Sequence, residues 1–467
     1  MNAYLVLLVV YSVGLTVLGL FIARLVRKSS DFFVASRSLS APLLGATVMA
    51  ANIGAGATVG ASGLAYEQGL SAWWWNGSAA FGSLVLAFIV GPRIWRVASR
   101  HGFYTVGDYL EFRYGQLVRG ISSSLIWVGT IAILAGQLLA GAAVLNVVAG
   151  MPKWAGALAG AVVMTVYFTA GGLLSSAWVN AVQLIVLLVG MAVAVPLVVS
   201  HVGGWAALTA VPPLPTGFAD VTFSSGPGSG WTLLLLLGPA FIVSPGLLQK
   251  AYGARSAAVV RRGIGISAVA LMGFALIPVL LGMAARAAHP DIASPDLVLP
   301  TVLTAELPLW LGALALAAVF SAEVSSCDAI LFMLATSLSQ DLYRRFFAPN
   351  ADDRQVLLAA RIAAVTGGAL GVLAALVLPN ILAALTIFYS LLGVSLFVPV
   401  VGGLFVRRAG RREALAAIAT GITTLLIVRF AGPGGWLDPA LFGLLASAVA
   451  FGLVLVMRRP AVSSAHK

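Results

Sequence analysis

Apolar stretches of about 20 residues recur along the whole chain, each long enough to cross a bilayer as a helix. Short polar or basic segments separate them. Thirteen can be drawn: Ala3–Ala23, Pro42–Tyr66, Ser71–Gly91, Gly120–Ala149, Trp154–Leu173, Ala177–Ser200, Trp231–Gln249, Gly263–Ala285, Leu307–Ser337, Ala359–Leu378, Asn380–Val406, Ala414–Phe430 and Pro439–Met457. The pattern predicts an all-α integral membrane protein with a single polytopic domain over residues 1–467. Met1–Ala23 lacks a basic start and carries its charges after the apolar run, so it reads as a retained helix and not a signal peptide.

Two spans depart from the Leu/Val/Ala/Gly pattern of the rest. Pro42–Tyr66 contains Asn52-Ile53-Gly54-Ala55-Gly56, then Gly60 and Gly63. Trp231–Gln249 contains Gly238-Pro239 and Ser244-Pro245-Gly246. Glycine and proline interrupt a helix and free backbone carbonyls, which at membrane depth must be satisfied by protein, water or a ligand. The interrupted spans are the second and the seventh. If helices 2–6 (residues 42–200) and 7–11 (231–406) are repeats, each begins with a broken helix. The odd number of helices per repeat inverts the two copies. Paired interruptions of this kind point to a transporter binding site. Helix 1 (3–23) and helices 12 and 13 (414–457) would be peripheral.

Composition agrees: 60% of residues are hydrophobic and 9% charged, against about 25% charged in a soluble domain. The single Cys327 excludes an intrachain disulfide. The net charge of +12 first suggests nucleic acid. However, with thirteen spans, 24 of the 27 basic residues fall on one side, and the other side holds only Lys153, Arg286 and Arg429. Basic residues mark the cytoplasmic side. The expected partner is therefore the lipid bilayer of the plasma (inner) membrane and not nucleic acid, with the N-terminus outside and the C-terminus cytoplasmic. The 201–230 segment, rich in Pro, Gly and Ser, is an external cap or a linker.

Leu307–Ser337 carries Glu323, Asp328 and the Ser325-Ser326 pair at mid-membrane depth. Ionisable groups there are costly and usually mark an ion or substrate path. Ala322, Ser325, Ser326 and Ala329 share one helical stripe. Hydroxyls and carbonyls suit a hard monovalent cation such as Na+. Equally, a serine in a membrane helix can bond its own i−4 carbonyl. Glu323 either pairs, binds solute, takes a proton or packs as a satisfied polar group. Asp328 either tunes the cation site or stabilises packing.

Four motifs in order carry a resemblance. They are Asp31-Phe32-Phe33-Val34-Ala35-Ser36-Arg37-Ser38-Leu39, then Tyr104-Thr105-Val106-Gly107-Asp108-Tyr109-Leu110 with Arg113-Tyr114-Gly115. Thr169-Ala170-Gly171-Gly172-Leu173 ahead of Gln183 follows, then Ser325-Ser326-Cys327-Asp328 with Asp341-Leu342-Tyr343-Arg344-Arg345. The chain resembles the sodium:solute symporter family, whose members carry proline, sugars, pantothenate, choline, iodide or sialic acid. The resemblance implies a LeuT-like 5 + 5 inverted repeat. It also implies a sodium site made by the carbonyls of Ala50, Ile53 and Ala322 and the hydroxyls of Ser325 and Ser326. Many relatives carry Thr-Asp where this chain has Val179-Asn180. Asn180 cannot hold charge, so one sodium per cycle is expected.

Solute-binding candidates lie near the two breaks: Asn52, Trp75, Asn76, Ser244, Gln249 and Tyr389, with Trp73 and Trp74 beside them. Consecutive tryptophans point different ways on a helix, so at most one or two line a cavity, and Trp near a membrane boundary is often an interface anchor. Gln137 and Gln183 read as interhelical hydrogen-bond partners, and the four histidines as solvated loop residues. The expectation is a sodium-coupled symporter of a small organic solute and not an enzyme. Alternatives are a proton-coupled or uncoupled transporter of the same fold, or a solute sensor. The solute and the oligomeric state stay open.

Overall fold

A computed structural model describes residues 3–23, 35–210, 217–221, 230–431 and 438–457. Outside them lie Asp31–Val34 of the first motif, Arg24, Arg27, Lys28, Arg458, Arg459 and Lys467, and stretches 211–216 and 222–229 of the cap segment. The side chains of 166–177, which include Thr169–Leu173, also lie outside.

Every described element is helical, apart from one isolated bridge between Leu39 and Ala254. All thirteen expected spans fall on helices. Ten stretches among the described residues are individually long and apolar enough to cross a membrane. The first span is one helix, Ala3–Ala23, of 21 residues. The second half of the second span runs helically into the third, sharing Gly56–His101 with it. Gly69, at φ +71° beside the Phe218 backbone, turns the chain between them.

The fifth and sixth spans share the single helical run Lys153–His201, where a linker near residues 174–176 was expected. No proline lies between Leu173 and Ala177, and the one proline of the run is Pro196. A straight 49-residue helix would be about 73 Å long, yet its two ends meet one short segment. Lys153 Nζ bonds Leu378 O at 2.8 Å, next to Ile381, whose N–H donates to Asp296 at 3.3 Å. His201 pairs with Glu306 at 2.8 Å. The run therefore doubles back as two antiparallel spans.

Both expected breaks are present. Ala41–Asn52 ends at Ile53, whose backbone turns extended (φ −100°, ψ 91°), and helical turns resume at Gly56–Gly60 and Ala61–Gln68. Gly230–Ile242 stops before Ser244 (ψ 119°), and Pro245–Tyr252 restarts. Leu309–Thr336 occupies the centre, with every residue from Ala318 to Thr336 buried, as suits a helix apolar on all sides.

One charge lies where the loop assignment does not put it. Lys250 is not on the inner surface. It sits in Pro245–Tyr252, is 1% exposed, and bonds Thr47 Oγ1 at 3.2 Å. The second broken helix continues through it and points it at the first. Of the described histidines, His101 and His201 are exposed, as expected, and His289 is partly exposed; each also has a partner. His201 and His289 both bond Glu306, and His101 stacks on Phe103.

Two of the motifs meet on the basic side. Thr105 and Asp108 form a capping box for Val106–Tyr114. Arg119 bonds Asp108 at 2.8 Å, Glu111 at 2.9 Å and Asp341 at 2.7 Å, and Thr105 donates to Asp341 at 2.5 Å. Arg345 also bonds Glu111. This clasp ties the loop after the third span to the end of the ninth.

Arg119→Ala leaves Asp341 buried without its cation, which costs about 3 kcal/mol; a large drop in the thermal midpoint of the purified protein is the expected reading. On the opposite face, burial pushes the Asp296 carboxyl up to about 6, against the opposing pull of the Ile381 N–H and Lys153. A raised carboxyl gives stability that is present at low pH and lost as pH climbs through the folded value. Asp296→Asn keeps an oxygen for Ile381. It should raise stability at about pH 8 by about 1 kcal/mol and do nothing near pH 4, by thermal unfolding across pH.

Candidate cation and solute site

The break at Ile53 decides where backbone oxygens become available. Ala57 and Thr58 both donate to Gly54 O, at 2.9 and 3.0 Å. The Ile53 carbonyl is thereby left without its usual helical partner. Ser326 Oγ reaches Ile53 O at 3.2 Å and Ala50 O at 3.4 Å. Ser325 Oγ reaches Ala50 O at 3.1 Å and Ala322 O of its own helix at 3.0 Å. Both serines are 2% exposed. Neither serine bonds its own i−4 carbonyl: Ser325 bonds the i−3 carbonyl of Ala322, and the other bonded oxygens belong to the broken helix. Gln137 Oε1 accepts from Ala55 N at 2.8 Å and holds the far side of the break.

A cavity of about 50 Å³ opens beside this junction. Asn52, Trp75, Asn76, Gln137, Phe241 and Tyr389 line it, and so does Ser326. Trp75 and Tyr389 meet edge to face at 6.2 Å, and Phe241 lies 5.2 Å from Tyr389. Asn76 donates to Ala57 O at 3.0 Å, and Asn52 to Ser83 at 3.4 Å. An adjoining cavity shares Asn52, Phe241 and Tyr389 and adds Ser244 and Lys250. Trp73 and Trp74 turn away to Met272 O and Val221 O, so one tryptophan of three faces the cavity. The Val221 contact, with Leu70 N donating to Phe218 O at 2.8 Å, makes 218–221 part of a cap over the third span.

Gln249 does not join this group. It is buried beneath the second break and lines neither cavity. Asn180 and Asp328 are buried, and they too stand outside both cavity walls. Glu323 is fully buried, with Thr58 Oγ1 at 3.2 Å from Oε1.

The family model for sodium:solute symporters matches residues 32–421. The chain belongs to the sodium:solute symporter family. It is 28% identical over 417 residues to the sodium/pantothenate symporter of Escherichia coli, spanning 84% of this chain and 83% of that one. It is 24% identical over 452 residues to the sodium/glucose cotransporter of Vibrio parahaemolyticus, spanning 86% and 80%. The solved outward-open, substrate-bound structure of a Na+-coupled sialic acid symporter superposes with a TM-score of 0.84 at 18% identity, covering 98% of both chains. The fold of this symporter-family chain is therefore the LeuT-like arrangement of inverted repeats. It is a multi-pass membrane transporter and not an enzyme.

The donor set suits the ion that the family name implies. Three freed or shared carbonyls and two hydroxyls converge in a buried spot without adding net charge. Hard, neutral oxygen donors of this number match a dehydrated monovalent metal ion. Sequence reasoning missed Thr58 and Phe241; Gln137 is the interhelical hydrogen-bond partner it was read as, here of Ala55. Gln137 carried a usable signal, since a lone amide in an apolar span four helices in must find a partner, but nothing in the chain names that partner.

Gly54 is demanded by close approach: a Cβ there would fall on Ser326 Oγ and Gln137 Oε1. Gly54→Ala should therefore cost about 2 kcal/mol through overpacking. The control Gly141→Ala, where a Cβ meets nothing within 4 Å, should be neutral or slightly stabilising, both read by thermal unfolding.

Proposed function

We propose that this chain is a sodium-driven symporter that carries a small organic solute into the cell by alternating access. The observation that carries the reading is the double role of Ser326. Its hydroxyl is bonded to the carbonyls of the broken helix and also forms part of the cavity wall. Sodium held by Ala50, Ile53, Ala322, Ser325 and Ser326 joins the central helix to the first broken helix. That junction orders Asn52 and the cavity beside it. A solute that stacks on Trp75, Tyr389 and Phe241 and bonds Asn52, Asn76 and Gln137 then binds the same arrangement. Each ligand favours the state in which both sites are formed, and coupling is their differential affinity between states.

The orientation that fits has the N-terminus outside and the C-terminus cytoplasmic. Removing Lys250 from the inner-loop count leaves the basic asymmetry intact. One sodium per cycle is the matching stoichiometry, since Asn180 supplies no charge at the position where many relatives have Asp.

Thermal unfolding of the purified protein tests the ion assignment. NaCl should raise the midpoint where equal KCl does not, and Ser325→Ala with Ser326→Ala should abolish the difference. An equal response of the unmutated protein to both salts would falsify the assignment.

A further inference from the structure

One buried ammonium group lines the solute space and has no part in the cation site. Lys250, on Pro245–Tyr252, is 1% exposed. It belongs to the wall of the second cavity, of about 50 Å³, which adjoins the first at Asn52, Phe241 and Tyr389. An ammonium carries three N–H donors. Among the described residues its hydrogen-bond partner is Thr47 Oγ1 at 3.2 Å, and no carboxylate lies within 4.0 Å of it. Asp328 of the central helix acts on it from beyond that distance. Among the described residues no other charged side chain lines either cavity. A buried charge left with one neutral partner is costly, so the space favours an occupant that brings a negative charge.

The backbone around Lys250 has the same preference. Pro245–Tyr252 starts at the second break, and Ser244, Gly246 and Leu247 line the same cavity. The Ser244 side chain does not cap the helix. The first N–H groups of a helix have no acceptor within it. Pro245 has no N–H, and Leu248 N already bonds Ser244 O at 2.9 Å, which leaves the N–H groups of Gly246 and Leu247. A Cβ built on Gly246 would meet only Met333 Sδ, at 3.9 Å, so the helix start is open to the cavity. Such a start favours an anion. Helical side chains lean toward the start of their helix, and residues four apart share a face. Lys250 follows Gly246 at that spacing, so its ammonium and the two N–H groups serve one space.

We propose that the solute is a small monocarboxylate whose carboxylate is held by Lys250 and the start of Pro245–Tyr252, while its other end reaches past Phe241 and Tyr389 toward Asn76 and Gln137. This names the substrate class of the solute site proposed above and rests on that reading. Ile133 and Ile330 line both cavities, so the body between the two ends is apolar. A single lysine in otherwise uncharged walls matches a single negative charge. A dianion would leave one charge uncompensated, an amine would be repelled, and a neutral solute would leave Lys250 as it stands.

The test is thermal unfolding of the purified full chain in NaCl. The probes are acetate, propionate, lactate, pyruvate, benzoate and phenylacetate, each beside its primary amide at equal ionic strength. At least one acid should raise the midpoint where its amide does not, a contrast read in the unmutated protein that needs no variant to fold. Lys250→Gln should raise the half-saturating concentration of that acid about tenfold or more. Lys250→Arg should restore most of the response. Stabilisation by NaCl alone should persist in both variants, which shows them folded. A lysine that served only as a counter-charge to Asp328 would lower stability when replaced and leave the acid response unchanged, and that result overturns the proposal. An amide that stabilises as well as its acid overturns it too, as does a panel without effect on the unmutated protein. Any of these beside a sodium-specific response leaves the sodium reading standing. A Lys250-dependent acid response without a sodium response overturns the sodium reading and leaves the carboxylate site standing.

Discussion

Backbone polar groups cannot be left bare in a bilayer, and the centre of this molecule is organised around one place where the chain leaves the helix. At Ile53–Ala55 the first broken helix gives up its own hydrogen bonds. The groups that take them over come from distant chain: Ser325 and Ser326 from the central helix, and Gln137 from Gln116–Ala149. Three elements are therefore held together by the repair of one break. The same oxygens are those of the proposed cation site, so the feature that stabilises the bundle is also the one that a coupled ion would exploit.

The cavity follows from that junction. Its walls come from both broken helices, from the third and fourth spans and from Ile381–Leu392, which brings Leu385 and Tyr389. Ser326 belongs to the wall and to the junction. Movement of the central helix against the first broken helix therefore cannot leave the cavity unchanged. Packing this tight responds by switching between discrete arrangements and not by gradual deformation.

At the two ends the helices are tied by charge. On the basic side Arg119 gathers Asp108, Glu111 and Asp341. On the opposite side, Asp296 receives the start of Ile381–Leu392, and Glu306 receives His201 and His289. The Arg119–Asp341 pair is buried and costly to break, while the His201 tie, with a 66% exposed side chain, exchanges for solvent cheaply.

Span positions, the two breaks and the serine stripe were legible in the chain, because each is a local property: hydrophobic length, helix-breaking residues, and spacing on one helix. The resemblance added which carbonyls to consider. What remained hidden depended on pairing across large separations. Asn52, Trp75, Asn76 and Tyr389 share a cavity while Gln249, equally polar and equally close to a break, does not. Lys250 counts as a loop charge in a linear reading, yet it is buried against Thr47, because the second broken helix extends one turn further than hydropathy suggests. The helical run Lys153–His201 reads as two spans from composition and is one run by backbone, reversed by where its ends are anchored. Local sequence determined which segments cross the membrane and where they must break. Only the tertiary structure decided which donors reach the exposed carbonyls, because those contacts join residues more than 80 positions apart, and a linear pattern holds no record of distance in space.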